Sequence, residues 1–478
     1  MTSALTSPFH GLPIDEAVPL AMEVHGVSRS SILQGRRRIR FQPQSGTTAN
    51  SGSIIQFVLS DSTGLLDVNS MVLSATVSVS GGDGKDMWMD DGPAWCRRAQ
   101  VIANGSLIDD VDNAHRAFNL ELQSSVGQDF YDSEGSFMNL WKFNATQAIA
   151  SPAPAKNDVE SALATQYADL SGNGLQCAWP IGLIAPSLRS SKYWPLRSMG
   201  ELVLQLTCAQ DSEAIFSPGQ TGAPSYALKN IFIECDICVP HPSYASLLDH
   251  VTQLESEHGL VLPVETILVA QGQSIPASPA SFTESSVVTS RATTNLRQMV
   301  FAAQPTTGLN AYTYPSVSCF PDAGFGQFQV RVGSLYFPSQ PADTLARAAM
   351  TTYAAFGEPA STDKESVWNR MNYDTTTSAD GATVYVNRPD AGGRSLPPVA
   401  TTQRFAYSDF APKAYCFDSY KNTSDPLDAD GISILGQAGS QIVTQVRLAN
   451  PEAVTPSIVL KATKYIHLKN GGLRVVGA

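Results

Sequence analysis

The clearest alternation of apolar and polar side chains lies in residues 53–80. Its second part interleaves two sets of side chains, Leu73, Ala75, Val77 and Val79 with Ser74, Thr76, Ser78 and Ser80. A period of two puts these sets on opposite faces of a β-strand. The preceding turn, Ser60-Asp-Ser-Thr-Gly64, suits Asx capping and a glycine at positive φ. The stretch therefore predicts two strands with an apolar row in a core and a hydroxyl row facing a neighbour or solvent.

Similar patterns recur over most of the chain and predict an all-β protein. Strand-like segments occur at 201–208, 226–240, 260–269, 285–290, 296–302, 327–332, 431–435, 440–449, 457–467 and 472–476. Asn104-Gly105 is a strong hairpin-turn signal. Helix-like spacing is found at 112–124, 241–259 and 342–356. Segments rich in small and polar residues at 144–176, 209–225 and 357–403 are typical of long exposed loops.

The chain divides into two β-rich halves. Because 478 residues exceed what one core usually serves, more than one domain is expected. We predict an N-terminal arm (1–45), a first β domain (46–243), a linker helix (244–259) and a second β domain (260–478). Each half has a long excursion before its final strands, although no repeat of residue identity is found.

Composition and charge argue against some classes of protein. A net charge of −12 argues against a protein that binds nucleic acid over its whole surface. Seven cysteines, mostly within apolar strand-like runs, predict buried free thiols in a reducing compartment. The sequons at Asn104, Asn144 and Asn422 are then expected to be unused. The N-terminus has no signal-peptide pattern, so we expect a soluble protein made inside a cell.

The arm ends in a basic cluster formed by Arg36, Arg37, Arg38 and Arg40. One interpretation is a solvated basic segment of an extended arm. The other is contact with an anionic partner, which could be nucleic acid, lipid headgroups or an acidic protein. A nuclear-localisation role is a further, unspecific possibility.

Several motifs were considered as chemical sites. Cys235 and Cys238 have half of a zinc-site spacing without a second pair, which favours structural cysteines. Residues 425–431 are similar to a calcium loop but lack its spacing and terminal Glu. The acidic clusters at 109–112 and 86–91 are interpreted as loop acids, with a glycosidase pair as the alternative.

The remaining motifs also favour structural roles. Residues 81–85 contain Gly-Lys without phosphate-loop spacing, and no Gly-X-Ser-X-Gly elbow is present. His115 and His467 are more plausible as satisfied or exposed residues than as bases. We therefore predict no catalytic residue, no cofactor-binding residue and no metal ligand, and a protein that is not an enzyme.

Four groups of residues resemble one protein lineage. They are Phe41, Ile54–Phe57, Gly64–Val68 and Leu73–Val77; Trp179–Ile181, Tyr193–Leu196 and Leu202–Leu206; Phe328–Pro338 with Thr344–Phe356; and Phe417–Asp418, Asp430–Ser433, Val443–Leu448 and Lys464–Tyr465. From residue 40 onwards, the chain resembles the double jelly-roll major capsid proteins of adenovirus hexon, tectiviruses, virophages and Polinton-like elements.

This resemblance implies two consecutive eight-stranded jelly rolls with a short linker helix and long loop insertions. It implies homotrimers that form pseudo-hexagonal capsomers of an icosahedral shell around double-stranded DNA. Expected partners are neighbouring capsomers, minor capsid or cement proteins, penton proteins and an internal membrane, without sequence-specific nucleic-acid binding. Arg36–Arg40 would lie at the inner face of a virion assembled inside the host cell.

Two other classes remain as alternatives. A β-sandwich carbohydrate-binding or glycoside-hydrolase-like protein would normally be secreted, and the absence of a signal pattern and the odd cysteine count argue against it. A minor viral structural protein, such as a penton or spike, would suit a single jelly roll, and the second β-rich half argues against that.

Overall fold

The computed structural model describes residues 33–81, 88–125, 134–140, 174–189, 193–216, 223–240, 246–278, 281–289, 293, 295–312, 316–318, 320, 325–356, 375–377, 384–386, 413–417, 432–433, 441–450 and 453–476. The predicted loop 425–431, the glycine-rich residues 82–85 and most of the predicted excursions 144–176 and 357–403 lie outside these residues.

Eight strands form a first β-sandwich. They are β1 (Leu33–Phe41), β2 (Ile54–Leu59), β3 (Leu65–Ser80), β4 (Cys96–Ala103), β5 (Ser106–Asp112), β6 (Leu175–Pro180), β7 (Leu202–Cys208) and β8 (Ser225–Pro240). One sheet has the order β1-β8-β3-β6 and the other β2-β7-β4-β5, with every neighbouring pair antiparallel. Short pieces at 49–50 and at 88–89 with 215–216 add to this unit. This strand order is that of a jelly roll.

A second set of eight strands repeats the arrangement. They are β9 (Leu260–Gln271), β10 (Thr283–Thr289), β11 (Leu296–Pro305), β12 (Phe325–Val332), β13 (Leu335–Ala342), β14 (Lys413–Cys416), β15 (Ile442–Leu448) and β16 (Val454–Lys469). Their sheets have the orders β9-β16-β11-β14 and β10-β15-β12-β13. Adding eight to each strand number of the first jelly roll gives the second. Two consecutive eight-stranded jelly rolls, as predicted, are therefore confirmed.

Three twelve-residue helices occupy corresponding or connecting positions. α1 (Ala114–Ser125) follows β5, and α3 (Leu345–Phe356) follows β13, so each jelly roll has a helix after its fifth strand. α2 (Ser246–Glu257) connects the two jelly rolls, as predicted for the linker. Outside the sixteen strands, β17 (Gly472–Val476) extends β16 as a hairpin, and 375–377 pairs with 384–386.

The strand pair that dominates the sequence pattern has the predicted two faces. The apolar row of β3, including Leu73 and Val77, is buried in the core of the first jelly roll. Its hydroxyl row lies on the opposite face, where Ser74 and Ser78 stay partly exposed. Asn104 and Gly105 both have positive φ and form the predicted hairpin turn between β4 and β5.

Two local expectations were wrong. Gly64 does not have positive φ; it lies against β8, where an added Cβ would be 2.5 Å from Ile237 Cγ2. Residues 53–80 form the second and third strands of the jelly roll, because β1 precedes them. The last part of the predicted 1–45 arm is therefore a sheet strand, hydrogen-bonded along β8 from Leu33 to Phe41.

The two sandwiches have separate cores that meet on one sheet. Phe301 and Phe328 lie in the second core, with ring centroids 6.4 Å apart. Val300 and Val459, on the other face of the β9-β16-β11-β14 sheet, join the buried cluster of the first jelly roll. The outer face of this sheet is therefore buried within the chain.

Candidate functional site: the basic strand and the contact between the jelly rolls

The predicted basic cluster lies on β1, the edge strand of its sheet. Residues alternate between the faces of a strand, so Arg36, Arg38 and Arg40 share the outer face. Ile39 and Phe41 point the other way and pack against the core. This alternation places three guanidinium groups in a row on the surface of the first jelly roll.

Carboxylates on neighbouring strands pair with this row. Nη1 of Arg36 lies 3.1 Å from Oδ2 of Asp67 on β3. On β8, Glu234 accepts hydrogen bonds from Nε of Arg38 at 3.1 Å and Nη2 of Arg40 at 2.7 Å. The hydrogen bonds from Arg40, with those from Arg38, lower the pKa of Glu234 below its usual value. One carboxylate thus serves two arginines.

Arg37 belongs to a different environment at the end of the sheet. Its Nη2 donates to Oδ2 of Asp61 at 2.5 Å and to Oγ1 of Thr63 at 2.9 Å. Asp61 also accepts a hydrogen bond from the backbone N–H of Thr63 at 2.7 Å, which closes the predicted Asx-type turn. Arg37 therefore ties β1 to the β2–β3 turn.

The four arginines remain accessible despite these pairs, with 51–56% of each side chain exposed. The Arg40 guanidinium also lies 4.0 Å from the centroid of the Phe232 ring. Exposed ion pairs of this kind contribute little to stability. A guanidinium has five N–H donors, so a paired arginine can still bind another anion. The inner-face contact of these residues stays a prediction.

A buried ionic network joins the two jelly rolls. Oε1 of Glu121, on α1, accepts hydrogen bonds from Arg189 at 2.7 Å and from Lys461 of β16 at 2.8 Å. Burial alone would raise the pKa of Glu121, but the two cations lower it to about 2. The carboxylate is therefore held ionised in the interior by one cation from each half of the chain.

The network continues along the second jelly roll. Glu265 on β9 lies 3.7 Å from Nη1 of Arg189 and 3.3 Å from Nη1 of Arg297. Arg189 thus bridges acids of both halves. Since unpaired buried charge is costly, this alternation of signs fixes how the two sandwiches sit on each other.

A second buried contact is centred on Asp109 of β5. Its carboxylate accepts a hydrogen bond from Thr266 Oγ1 at 2.5 Å and lies 3.5 Å from Nζ of Lys464. Burial raises the pKa of Asp109, while Lys464 and the hydrogen bond from Thr266 act against that shift. Both partners belong to the second jelly roll.

A segment of the second jelly roll also enters the first. The backbone N–H of Val317 donates to Oδ2 of Asp90 at 2.8 Å, and the Ser318 hydroxyl donates to Oδ1 of the same carboxylate. Nε of Arg116 donates to the carbonyl of Ser316 at 3.3 Å. The contact between the halves therefore contains several buried polar interactions.

Sequence reasoning missed the interface roles of Glu121, Arg189, Glu265, Lys461 and Lys464, and it interpreted Asp90 and Asp109 as loop acids. Lys461 and Lys464 interrupt the apolar run of β16, and Glu265 interrupts that of β9. A charged residue inside an otherwise apolar strand requires a buried partner of opposite charge. These interruptions were therefore the sequence signal for a buried ion pair. The partner could not be named, because Glu121 is about 340 positions away from Lys461.

Two of the candidate chemical motifs of the sequence lie in strands. Cys235 and Cys238 are both buried on β8. Asp109, Asp110 and Asp112 lie in strand β5 instead of the predicted loop, and Asp110 pairs with Arg98. Among the described residues, no group of three or more His, Cys, Asp or Glu side chains could hold a metal ion. In the same part of the chain, no helix has the length and apolar character to cross a membrane.

Sequence comparison gives no match, either to a protein-family model or to a curated protein. Solved structures do match. The 3.5 Å cryo-EM structure of the Sputnik virophage is similar with a TM-score of 0.54 and 9% identity, over 94% of this chain and 89% of that chain. PBCV-1 VP54, in a crystal structure fitted into a Sputnik reconstruction, has a TM-score of 0.52 and 11% identity, over 93% and 97%.

The mavirus major capsid protein is similar at a TM-score of 0.48 and 9% identity, over 98% of this chain and 95% of that chain. The Sputnik and VP54 structures match over 89–97% of each chain, so both halves of this chain are covered. Together with the strand order, they show that the chain has the double jelly-roll fold of viral major capsid proteins. At 9–11% identity, the likeness establishes the fold alone.

Proposed function

We propose that the chain is the major capsid protein of an icosahedral virus, a structural subunit of the virion and not an enzyme. The observation that carries this proposal is the jelly-roll strand order, present twice in one chain, in a fold shared with viral capsid proteins over nine-tenths of its length. Two joined β-sandwiches can form part of a protein shell, and that structural role requires no catalytic group.

We further propose a trimer of six jelly rolls. Within the chain, the outer face of the β9-β16-β11-β14 sheet is covered by the first jelly roll, as Val300 and Val459 show. The corresponding β1-β8-β3-β6 face keeps exposed arginines on β1. If the second jelly roll of another copy covers the β8-β3-β6 part of that face and leaves the edge strand β1 free, a heterologous contact repeats, and it forms a ring when its rotation closes. Three two-domain chains then form one pseudo-hexagonal capsomer.

The ends of the first jelly roll support an orientation in the shell. β2 and β4 both run antiparallel to β7, so the turns that follow them lie at one end. Arg37 contacts one of these turns, while α1 and the insertion after it start at the opposite end. We propose that the insertions face outward and that Arg36–Arg40 face the inner layer of a double-stranded DNA virus, where minor capsid proteins or a membrane lie.

The experiment is expression of the full chain, followed by light scattering after size exclusion and by electron microscopy across ionic conditions. The expected result is a trimer that assembles into closed particles or sheets of hexagonal tiles. A monomer that forms neither trimers nor shells under any condition would overturn the proposal.

A further inference from the structure

The outer face of the β2-β7-β4-β5 sheet carries a row of three glutamines. Gln56 on β2 lies opposite Gln205 on β7, which lies opposite Gln100 on β4. Nε2 of Gln205 donates to Oε1 of Gln100 at 3.3 Å. All three are partly exposed. We name Gln56, Gln205 and Gln100 the glutamine row.

An apolar row runs parallel to the glutamine row, two residues further along the strands. Val58, Val203, Ile102 and Leu107 lie opposite one another in turn across all four strands. Leu107 is 49% exposed, and the other three are partly exposed. Antiparallel sheets normally present polar residues on their open face. Four aligned aliphatic side chains on that face therefore need an explanation.

The equivalent sheet of the second jelly roll repeats part of this surface. β7 and β15 are both seven residues long, and Val203 and Gln205 occupy the same second and fourth positions as Val443 and Gln445. β4 and β12 are both eight residues long, with glutamine at the fifth position in each. That glutamine of β12, Gln329, donates to the Pro338 carbonyl at 3.0 Å and is buried, so Gln445 is the accessible member.

Core packing does not account for this repetition. By strand alternation the matching residues lie on the sheet face opposite the hydrophobic cores, where Gln205 and Gln445 are partly exposed and Val443 is covered, with 4% exposure. The halves have otherwise lost residue identity, so an accessible glutamine at the same position of both sheets, Gln205 and Gln445, indicates a shared contact. Both rows are also nearly free of charge, and Asp110, which ends the glutamine row, is paired with Arg98 at 2.5 Å.

We propose that this face is the lateral contact between capsomers, and that its occupant is the same face on a second copy of the chain. The inference rests on the proposed capsid function. Copies that each carry a net charge of −12 repel one another, so a contact between identical faces is favoured where local charge is low. A primary amide is both donor and acceptor, so a glutamine row can pair with itself across a two-fold axis. The apolar row excludes water beside it.

The size of the face sets the strength of the contact. The four strands span about 15–20 Å across the sheet and the two rows of side chains about 10–15 Å along it, or roughly 200–300 Å² on each copy. Both sides together bury about 400–600 Å², well below the roughly 1,200 Å² of a stable specific interface. Isolated capsomers therefore stay apart, and a shell holds together because each capsomer makes several such contacts at once.

The test uses separately purified capsomers of two full-length variants, Gln205→Glu and Gln205→Lys. Each should form normal capsomers by light scattering, and each should lower particle yield about tenfold or more, since like charges then face each other across the two-fold axis. An equimolar mixture should restore at least about half of the wild-type yield. Gln273→Glu, an exposed glutamine in the loop after β9, is the matched control and should assemble normally.

Leu107→Ser is a milder second variant, since its exposed position tolerates substitution, and it should raise the critical assembly concentration several-fold. Normal assembly of both charge variants would overturn the inference, and so would loss of assembly that mixing does not rescue. Either result leaves the capsid function intact when wild-type particles form. Failure of the wild-type chain to assemble at all would instead overturn the capsid proposal and this inference with it.

Discussion

Replacing Glu121 by glutamine removes the central charge of the network between the jelly rolls while keeping its shape. The wild-type carboxylate binds Arg189 and Lys461 at 2.7 and 2.8 Å. In Glu121→Gln, Lys461 loses its carboxylate partner, and Arg189 keeps the more distant carboxylate of Glu265, 3.7 Å away. Removing one partner of a buried ion pair is strongly destabilising because the remaining charge keeps its desolvation cost.

The magnitude follows from the pKa of Glu121, which falls from 4.5 to about 2 in the folded chain. At about 1.4 kcal/mol for each pKa unit, this shift corresponds to about 3 kcal/mol. Since the folded pKa is depressed, this stabilisation is fully present above pH 4.5 and is lost as pH falls from 4.5 to 2. The glutamine variant should therefore lose about 3 kcal/mol of unfolding free energy at pH 7.

The assay is urea unfolding at fixed protein concentration, followed by fluorescence of the buried Trp95, Trp179 and Trp194. The wild-type chain should lose stability between pH 4.5 and 2 more steeply than the variant. Asp343→Asn is the control, because its pair with Arg347 is exposed on both sides and should contribute nothing measurable. A Glu121→Gln protein as stable as wild type at pH 7, with the same acid dependence, would refute this account of the interface.

Three further predictions concern other parts of the chain. Replacing Arg36, Arg38 and Arg40 by serine should leave capsomers intact but reduce particle yield or attachment of the inner layer. Replacing them by lysine should preserve both. An unchanged particle yield with serine would contradict the inner-face proposal. Burial, with Arg116 adding to it, lowers the pKa of His115, so the unfolding free energy of the wild type should fall as pH drops below about 6.5. His115→Leu should remove that part of the pH dependence. Urea titrations in which wild type and variant depend equally on pH would count against this prediction. Gly64→Ala should lower the unfolding free energy by about 1–3 kcal/mol, measured by urea unfolding, because the added Cβ meets Ile237. Gly35→Ala has open space around the added Cβ and should be nearly neutral. Equal effects of the two substitutions would contradict the packing argument.

The sequence was sufficient for the parts of the fold that one local pattern determines. The two faces of β3, the Asn104-Gly105 hairpin and the linker helix each depend on residues close together in the chain. β1 was not recognised because its outward positions are arginines, so only Ile39 and Phe41 carry the apolar half of the alternation. Strand formation there depends on pairing with β8, nearly 200 positions later.

The candidate surfaces show the same division. The basic cluster was found from composition, but Glu234 and Asp67, which partly neutralise it, became its neighbours only through the strand order. The glutamine row could not be predicted, because its members come from three strands that are not adjacent in sequence. Cross-strand register, that is, which residues lie opposite each other on neighbouring strands, depends on the folded sheet. It could not be predicted from this sequence alone.

The distribution of charge in the chain suits a subunit that must be rigid inside and weakly bound outside. Between the jelly rolls, carboxylates such as Glu121 and Asp109 are buried with cations of the other half, and their pairing is strong only in one relative position. On the outer sheet face, uncharged rows built around Gln205 and Val203 can form only small contacts. In the proposed capsid, shell assembly requires both, because strong lateral contacts trap misplaced capsomers, whereas weak ones allow a capsomer to leave and rebind until every neighbour fits.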